Sequence, residues 1–161
     1  MSDLQIQYAV EADAPAIASV LHDAFIEYKS FYTRGGFDAT VLASEQVKER
    51  MREGPVWIVL RDGSVVATGA AIQKGASLYV RGMAVSPDSR GEKIGELLLS
   101  EVEKFATEKG IRRLFLSTTP FLARAIRLYE KWGFRRTTES PPDLFGTPLF
   151  TMEKILDPPS A

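Results

Sequence analysis

Residues 86–95, SPDSRGEKIG, have the composition of an anion-binding turn that opens a helix, and they are called the elbow below. The first N–H groups of a helix lack intrahelical partners and lie at the positive end of the helix dipole, so a phosphate is a natural ligand there. Gly91 and Gly95 would let it approach the backbone closely, and Arg90 and Lys93 could add charge-assisted contacts. The same residues are equally typical of an ordinary capped helix start.

A second candidate is Tyr129, in the segment ARAIRLYEKWGF at residues 123–134. Helical spacing places Tyr129 on an apolar stripe with Leu122, Ala125 and Ile126, so a core tyrosine explains the pattern as well as a functional one does. The stripe alone leaves both roles open.

The composition excludes several kinds of chemistry. The 161 residues include no cysteine and one histidine, His22, so thiol nucleophiles and Cys/His zinc sites lack their residues and we expect no metal. The 20 basic and 21 acidic residues are scattered along the chain, which gives no electrostatic reason to expect nucleic acid or a membrane surface as a partner. The start MSDLQIQYAVEAD lacks a basic and then apolar design, so we expect a cytoplasmic protein.

Hydrophobic periodicity and turn residues predict one α/β (α+β) domain over residues 1–156, with a loose tail at 157–161. The predicted order is a strand (4–10), two helices (13–28 and 39–54) and three antiparallel strands (55–61, 64–73 and 77–85). After the elbow come a helix that ends at Gly110, a strand (111–118), a helix (120–132) and two closing strands (134–138 and 148–156). The helix between strands 77–85 and 111–118 favours pairing these two in parallel. A ligand can enter where such neighbours splay apart.

Taken together, the elbow, the strand after its helix and the segment RLYEKWGF resemble the GNAT superfamily of N-acetyltransferases, and the resemblance covers the whole chain. It implies a mixed, mostly antiparallel sheet with a splayed parallel pair and about four helices. It also implies acetyl-coenzyme A (acetyl-CoA) as co-substrate, with its pyrophosphate wrapped by the elbow residues Arg90, Gly91, Glu92, Lys93, Ile94 and Gly95. Lys93 stands where the family has a glycine, and Leu122 stands where it often has an asparagine.

The resemblance also assigns chemistry to the strand before the elbow and to Tyr129. The family bulges this strand, and backbone groups at Met83, Ala84 and Val85 would hold the pantetheine arm and polarise the thioester carbonyl. Tyr129 would protonate the departing thiolate, a reaction that suits a weakly acidic phenol. The reaction implied is direct transfer to a neutral primary amine, without a covalent enzyme intermediate.

The acceptor should be bound by the variable segments 25–37 and 137–147, where Tyr28, Phe31 and Tyr32 could form an apolar or cation-binding wall. Packing onto the sheet explains these aromatic residues too. The acceptor would be a small-molecule or peptide amine, and a homodimer is left open. Carboxylates that could border the pocket and act as a base are Glu27, Asp38, Glu139 and Asp143.

The alternative function is a non-catalytic acyl-CoA-binding regulatory module, which the departures from the family pattern at Lys93 and Leu122 leave open.

Overall fold

The computed structural model describes residues 3–157, and its frame is a seven-stranded sheet. The strands are β1 Leu4–Tyr8, β2 Val56–Arg61, β3 Ser64–Lys74, β4 Ser77–Val85, β5 Arg113–Thr118, β6 Arg135–Arg136 and β7 Phe150–Ile155. Their spatial order is β1-β2-β3-β4-β5-β7-β6, with β4 and β5 parallel and the other neighbours antiparallel. The predicted mixed sheet with one parallel pair is confirmed. Of the predicted tail, residues 158–161 lie outside the described residues.

Five α-helices accompany the sheet: α1 Ala14–Phe25, α2 Arg34–Thr40, α3 Ser44–Glu53, α4 Ile94–Glu108 and α5 Ala123–Lys131. The prediction was wrong at α2, because Gly35 and Gly36 indicate a loop by sequence. The Thr33 hydroxyl accepts a hydrogen bond from the Gly36 N–H at 3.0 Å and so caps a short helix there. The single helix predicted over 39–54 is also interrupted, since the chain is extended at Ala43 before α3 begins.

The sheet is covered on both faces because its central strands are apolar on both. Along β2, Trp57 and Val59 pack with α4 and α5, whereas Ile58 packs with α1 and α3. This alternation follows from the two-residue period of a strand, and it makes β2 buried on both sides. The two faces therefore carry separate clusters, the α4/α5 face and the α1/α3 face.

The parallel strands β4 and β5 are paired over only part of their length. Ladder pairs join Ser77 to Arg113 and Tyr79 to Phe115, and beyond these residues the two strands separate. The backbone groups of β4 that face this gap have no partner on β5 and are available to a ligand. The gap is the feature of the fold that creates the site.

Candidate active site

A cleft of about 640 Å³ opens where β4 and β5 separate, and it is lined by α1, β4, the elbow, β5 and α5. It brings together most of the predicted site residues: Tyr28, Tyr32, Met83, Ala84, Val85, Arg90, Gly91, Lys93, Ile94, Gly95 and Tyr129. Two predicted residues do not line it. Glu92 forms an ion pair with Arg61, and Phe31 is largely exposed and stacks on Phe121 with ring centroids 5.5 Å apart.

Strand β4 bulges beside the cleft. Ala84 pairs with Thr68 and Arg81 pairs with Ala70, so Gly82 and Met83 together face the single residue Gly69 on β3. Gly82 has a φ of +64°, which a glycine adopts without steric cost, and this conformation redirects the strand. The bulge lies where the pairing with β5 has ended, so it re-aims backbone N–H groups into the gap.

The elbow is tied to the sheet and to α1 by two arginines. Arg61 donates a hydrogen bond to the Ser89 hydroxyl at 2.8 Å and forms an ion pair with Glu92. Arg90 forms an ion pair with Glu27 and donates to the Ala24 carbonyl at 3.2 Å. Arg90 therefore anchors the elbow to the end of α1, a role that its spacing in the sequence does not reveal.

The elbow backbone has the form of an anion cradle. Gly91 has a φ of +84°, and no atom lies within 4 Å of where its Cβ would be. Lys93 has a φ of +61°, and α4 begins at the next residue. Positive φ values at the entry to a helix turn successive N–H groups toward one concave side. This backbone fits a pyrophosphate.

Lys93 occupies the left-handed conformation at a steric cost that a glycine would not have. The change Lys93→Gly is therefore expected to raise the free energy of unfolding by about 0.5–1 kcal/mol. This net gain is the steric strain that glycine relieves, minus the stability lost because glycine has more conformational entropy in the unfolded chain. Acetyl-CoA binding should be largely retained. Denaturant unfolding and calorimetry would measure both quantities, with Lys93→Ala as the control that removes the charge but keeps the strain. A destabilised Lys93→Gly protein would contradict the expectation.

Gly95 lies where α4 and α5 approach closely. A Cβ on Gly95 would lie 2.6 Å from Cδ2 of Leu128 on α5, so the glycine permits the contact between the two helices. The sequence suggests a different reason for this glycine, the approach of a phosphate.

Tyr129 belongs to both the core and the cleft. It is 8% exposed, its ring centroid lies 5.7 Å from that of Phe134, and it also lines the cleft. Burial, reinforced by Tyr32, raises the pKa of the Tyr129 phenol well above its usual value. Within residues 3–157 its hydroxyl makes no hydrogen bond. The phenol thus stays protonated and its hydroxyl is free for a ligand.

Aromatic rings form the wall of the cleft near α1. Tyr32 is buried, and its ring meets Phe121 edge-on with centroids 4.8 Å apart, while Tyr28 lies 6.2 Å from the same ring. Burial raises the pKa of the Tyr32 phenol, so this residue is neutral at ordinary pH. Tyr28 and Tyr32 thus pack against Phe121 and also line the cleft, so the two explanations of these residues are compatible.

None of the four carboxylates considered as bases lines the cleft. Glu27 is paired with Arg90 and Glu139 with Arg113, and Asp38 and Asp143 are exposed. Among the residues described, the carboxylate that lines the cleft is that of Glu96, 3.8 Å from the Lys131 ammonium.

Three arginines of the cleft, Arg50, Arg81 and the exposed Arg124, were not anticipated from the sequence. Arg50 lies in a highly charged helix, α3, and Arg81 lies in a strand with alternating burial, so the local sequence pattern distinguishes neither residue from its neighbours.

Within the described part of the chain there is no group of three or more His, Cys, Asp or Glu residues placed to bind a metal ion. Over the same residues, no helix has the length and apolarity needed to span a bilayer.

Sequence comparison gives an independent indication of function. The profile of the Acetyltransferase (GNAT) family matches residues 17–134. The uncharacterized N-acetyltransferase YjgM of Escherichia coli is 32% identical over 127 residues, which cover 76% of this chain and 76% of that protein. IAA acetyltransferase of Azospirillum brasilense is 40% identical over 79 residues, 48% of this chain and 52% of that protein.

Structure comparison agrees on the fold. PaiA N-acetyltransferase from Thermoplasma acidophilum, solved in complex with coenzyme A, superimposes with a TM-score of 0.82. The match covers 95% of this chain and 99% of that chain at 18% sequence identity. At that identity the similarity concerns the fold alone.

Proposed function

The chain belongs to the GNAT family of acetyltransferases, and on that premise we propose that it transfers the acetyl group of acetyl-CoA directly to a primary amine. Membership makes it an acetyl-CoA-dependent acyltransferase. The identity of the acceptor and its attack as a neutral amine are the proposed part.

The observation that carries the proposal is the convergence of three features in one cleft. The elbow presents a cradle for a phosphate, the bulge of β4 presents unpaired backbone groups, and Tyr129 presents a protonated hydroxyl. These are the parts needed to hold a long phosphorylated thioester, to polarise its carbonyl and to protonate its leaving group. Acetyl-CoA supplies the activated acyl group.

Each part has a defined task in the transfer. Backbone N–H groups around Met83 and Ala84 donate to the thioester oxygen as negative charge develops on it during attack by the amine nitrogen. Tyr129 gives its proton to the sulfur as the carbon–sulfur bond breaks, and the proton that the attacking nitrogen loses converts the Tyr129 phenolate back to the phenol. The amine must arrive without its proton, and deprotonating an alkyl ammonium of pKa about 10 costs about 4 kcal/mol at pH 7. Positive charge from Arg50 and Arg81, with the aromatic wall, disfavours the ammonium form inside the cleft.

Binding of the co-substrate gives the first test. Acetyl-CoA at a hundred times its Kd should stabilise the folded protein by about 2.7 kcal/mol, since a ligand of the folded state alone adds stability by mass action. For a chain of this size that corresponds to a rise in Tm of roughly 5–10 °C. ATP, which lacks the pantetheine arm, should shift Tm less. Equal, negligible shifts with acetyl-CoA, coenzyme A and ATP would contradict the assignment.

Thiol release from acetyl-CoA against a panel of primary amines separates the enzyme from the regulatory alternative. The proposal expects release that depends on an amine. Tight acetyl-CoA binding without release for any amine would favour a module that only binds the cofactor.

A further inference from the structure

Arg50 is a charged side chain in the cleft that forms no close ion pair of its own with another described residue. It extends from α3 to the bulge of β4, where its guanidinium contacts the position that a Cβ on Gly82 would take. Within residues 3–157 its guanidinium forms no salt bridge of its own; the nearby carboxylate of Glu53 attracts it but is bonded to Arg81. A partly buried cation without an acceptor is costly, so an anionic ligand is the natural complement.

The charges around Arg50 leave an excess of one positive charge. Arg81 lies nearby and forms an ion pair with Glu53 at 2.9 Å, so two guanidiniums share one carboxylate. Burial, together with the charge of Arg81, lowers the pKa of Arg50 to about 10, which still leaves Arg50 protonated at neutral pH. A second carboxylate would balance this cluster.

The anion that meets Arg50 is distinct from the pyrophosphate at the elbow. The elbow leads into α4, which packs on the α4/α5 face of the sheet, whereas Arg50 comes from α3 on the α1/α3 face. The cleft passes between β4 and β5 and connects the two sides. Arg50 therefore reaches the cleft from the face of the sheet opposite α4, and a ligand held there would be the acceptor.

We propose that Arg50 binds the carboxylate of the acceptor, so that the acceptor is a small amine carrying a carboxylate, of the amino-acid class. A guanidinium matches a carboxylate through two parallel hydrogen bonds, which fixes the orientation of the bound molecule as well as its affinity. The rings of Tyr28 and Tyr32 offer an apolar wall to its side chain. The inference rests on the proposed acetyl transfer and names the substrate class of the same site.

The test compares matched acceptors that differ only in the carboxylate. Thiol release from acetyl-CoA is measured with a panel of L-amino acids and the amide of each, with kcat/KM expressed per concentration of unprotonated amine. The wild type should prefer the acid of a pair by about tenfold to a hundredfold, the range for a hydrogen bond to a charged group. Arg50→Met should abolish this preference through KM, and Arg50→Lys should retain part of it.

Arg52→Met is the matched control, because Arg52 lies on the same helix but does not line the cleft and pairs loosely with Glu11 at 3.6 Å. It should keep the preference for acids. Equal kcat/KM for acids and amides in the wild type would overturn the inference while leaving acetyl transfer intact. An equal loss for acids and amides in Arg50→Met would instead assign Arg50 to supporting the bulge.

A binding measurement keeps the inference testable if no amine is acetylated. N-acetyl-L-phenylalanine and its amide are titrated into the coenzyme A complex by calorimetry. The inference expects the acid to bind at least tenfold more tightly than the amide to wild type, and equally weakly to Arg50→Met. Equal binding of the two by wild type would refute the carboxylate site, whereas absent turnover with selective binding would refute only the transfer.

Discussion

Tyr129→Phe is expected to lower the turnover of acetyl transfer by about a hundred- to ten-thousand-fold, the range for loss of a general acid. The affinity for acetyl-CoA should be nearly unchanged, because the proton is needed as the carbon–sulfur bond breaks and not when the co-substrate binds. The structure supports a clean substitution. Phenylalanine keeps the ring against Phe134, and within residues 3–157 the hydroxyl has no hydrogen bond to lose.

The burial of Tyr129 defines which role its hydroxyl can have. Because burial raises the pKa of the phenol, the residue is protonated throughout the range in which the enzyme would work. Tyr129 therefore carries the proton that the thiolate requires and cannot remove one from an ammonium, although burial also makes it a weaker acid than a free phenol. A leaving thiol more acidic than coenzyme A needs less protonation, so the loss caused by Tyr129→Phe should shrink with such a thioester.

Thiol release by wild type and variant would measure the effect, with Tyr8→Phe as the control. Tyr8 lies on the edge strand β1, where it is 55% exposed and stacks on Trp57 outside the cleft, so its hydroxyl should not affect turnover. Undiminished turnover in Tyr129→Phe would assign Tyr129 to the core alone. A loss of acetyl-CoA affinity equal to the loss of turnover would indicate a role in binding.

Local signals account for what could be predicted of the fold. Apolar periodicity and the turn residues around Asp62-Gly63 and in the elbow predicted the order of the strands along the chain and the parallel pair, because these features depend on neighbours in the chain. The glycines of α2 were misjudged for the same reason. Gly36 is buried against Leu144 and Thr147, more than 100 residues away, and no local pattern reports that contact.

In the site too, features set by neighbours in the chain could be predicted, and features set by distant residues could not. The elbow could be recognised as a turn into a helix, but the bulge at Gly82 and Met83 is a property of pairing with β3, so only the family resemblance indicated it. The partners of the charged residues are also distant in sequence: Arg90 pairs with Glu27. Because Glu27 is engaged in that ion pair, it is not available as the base for which it was considered. The unpaired state of Arg50 becomes visible only when α3 and β4 are brought together.

Replacing Gly95 should show whether the glycine serves the helix contact or the phosphate. The change Gly95→Leu is expected to lower the free energy of unfolding by about 1–3 kcal/mol, because even its Cβ would lie 2.6 Å from Cδ2 of Leu128. Acetyl-CoA binding should weaken with it, since pushing α5 away from α4 shifts the elbow and Tyr129 relative to each other. Denaturant unfolding and calorimetric titration measure the two effects separately.

A double-mutant cycle separates the two explanations for Gly95. The single added methyl of Gly95→Ala collides with Leu128, and Leu128→Ala removes the colliding atoms, so the pair should show a favourable coupling of roughly 0.5–3 kcal/mol in stability. The Cβ of residue 95 would point toward α5, so acetyl-CoA affinity should recover together with stability in the double variant. If stability recovers while affinity stays low, the methyl group itself obstructs the phosphate, and the glycine is required for cofactor binding directly.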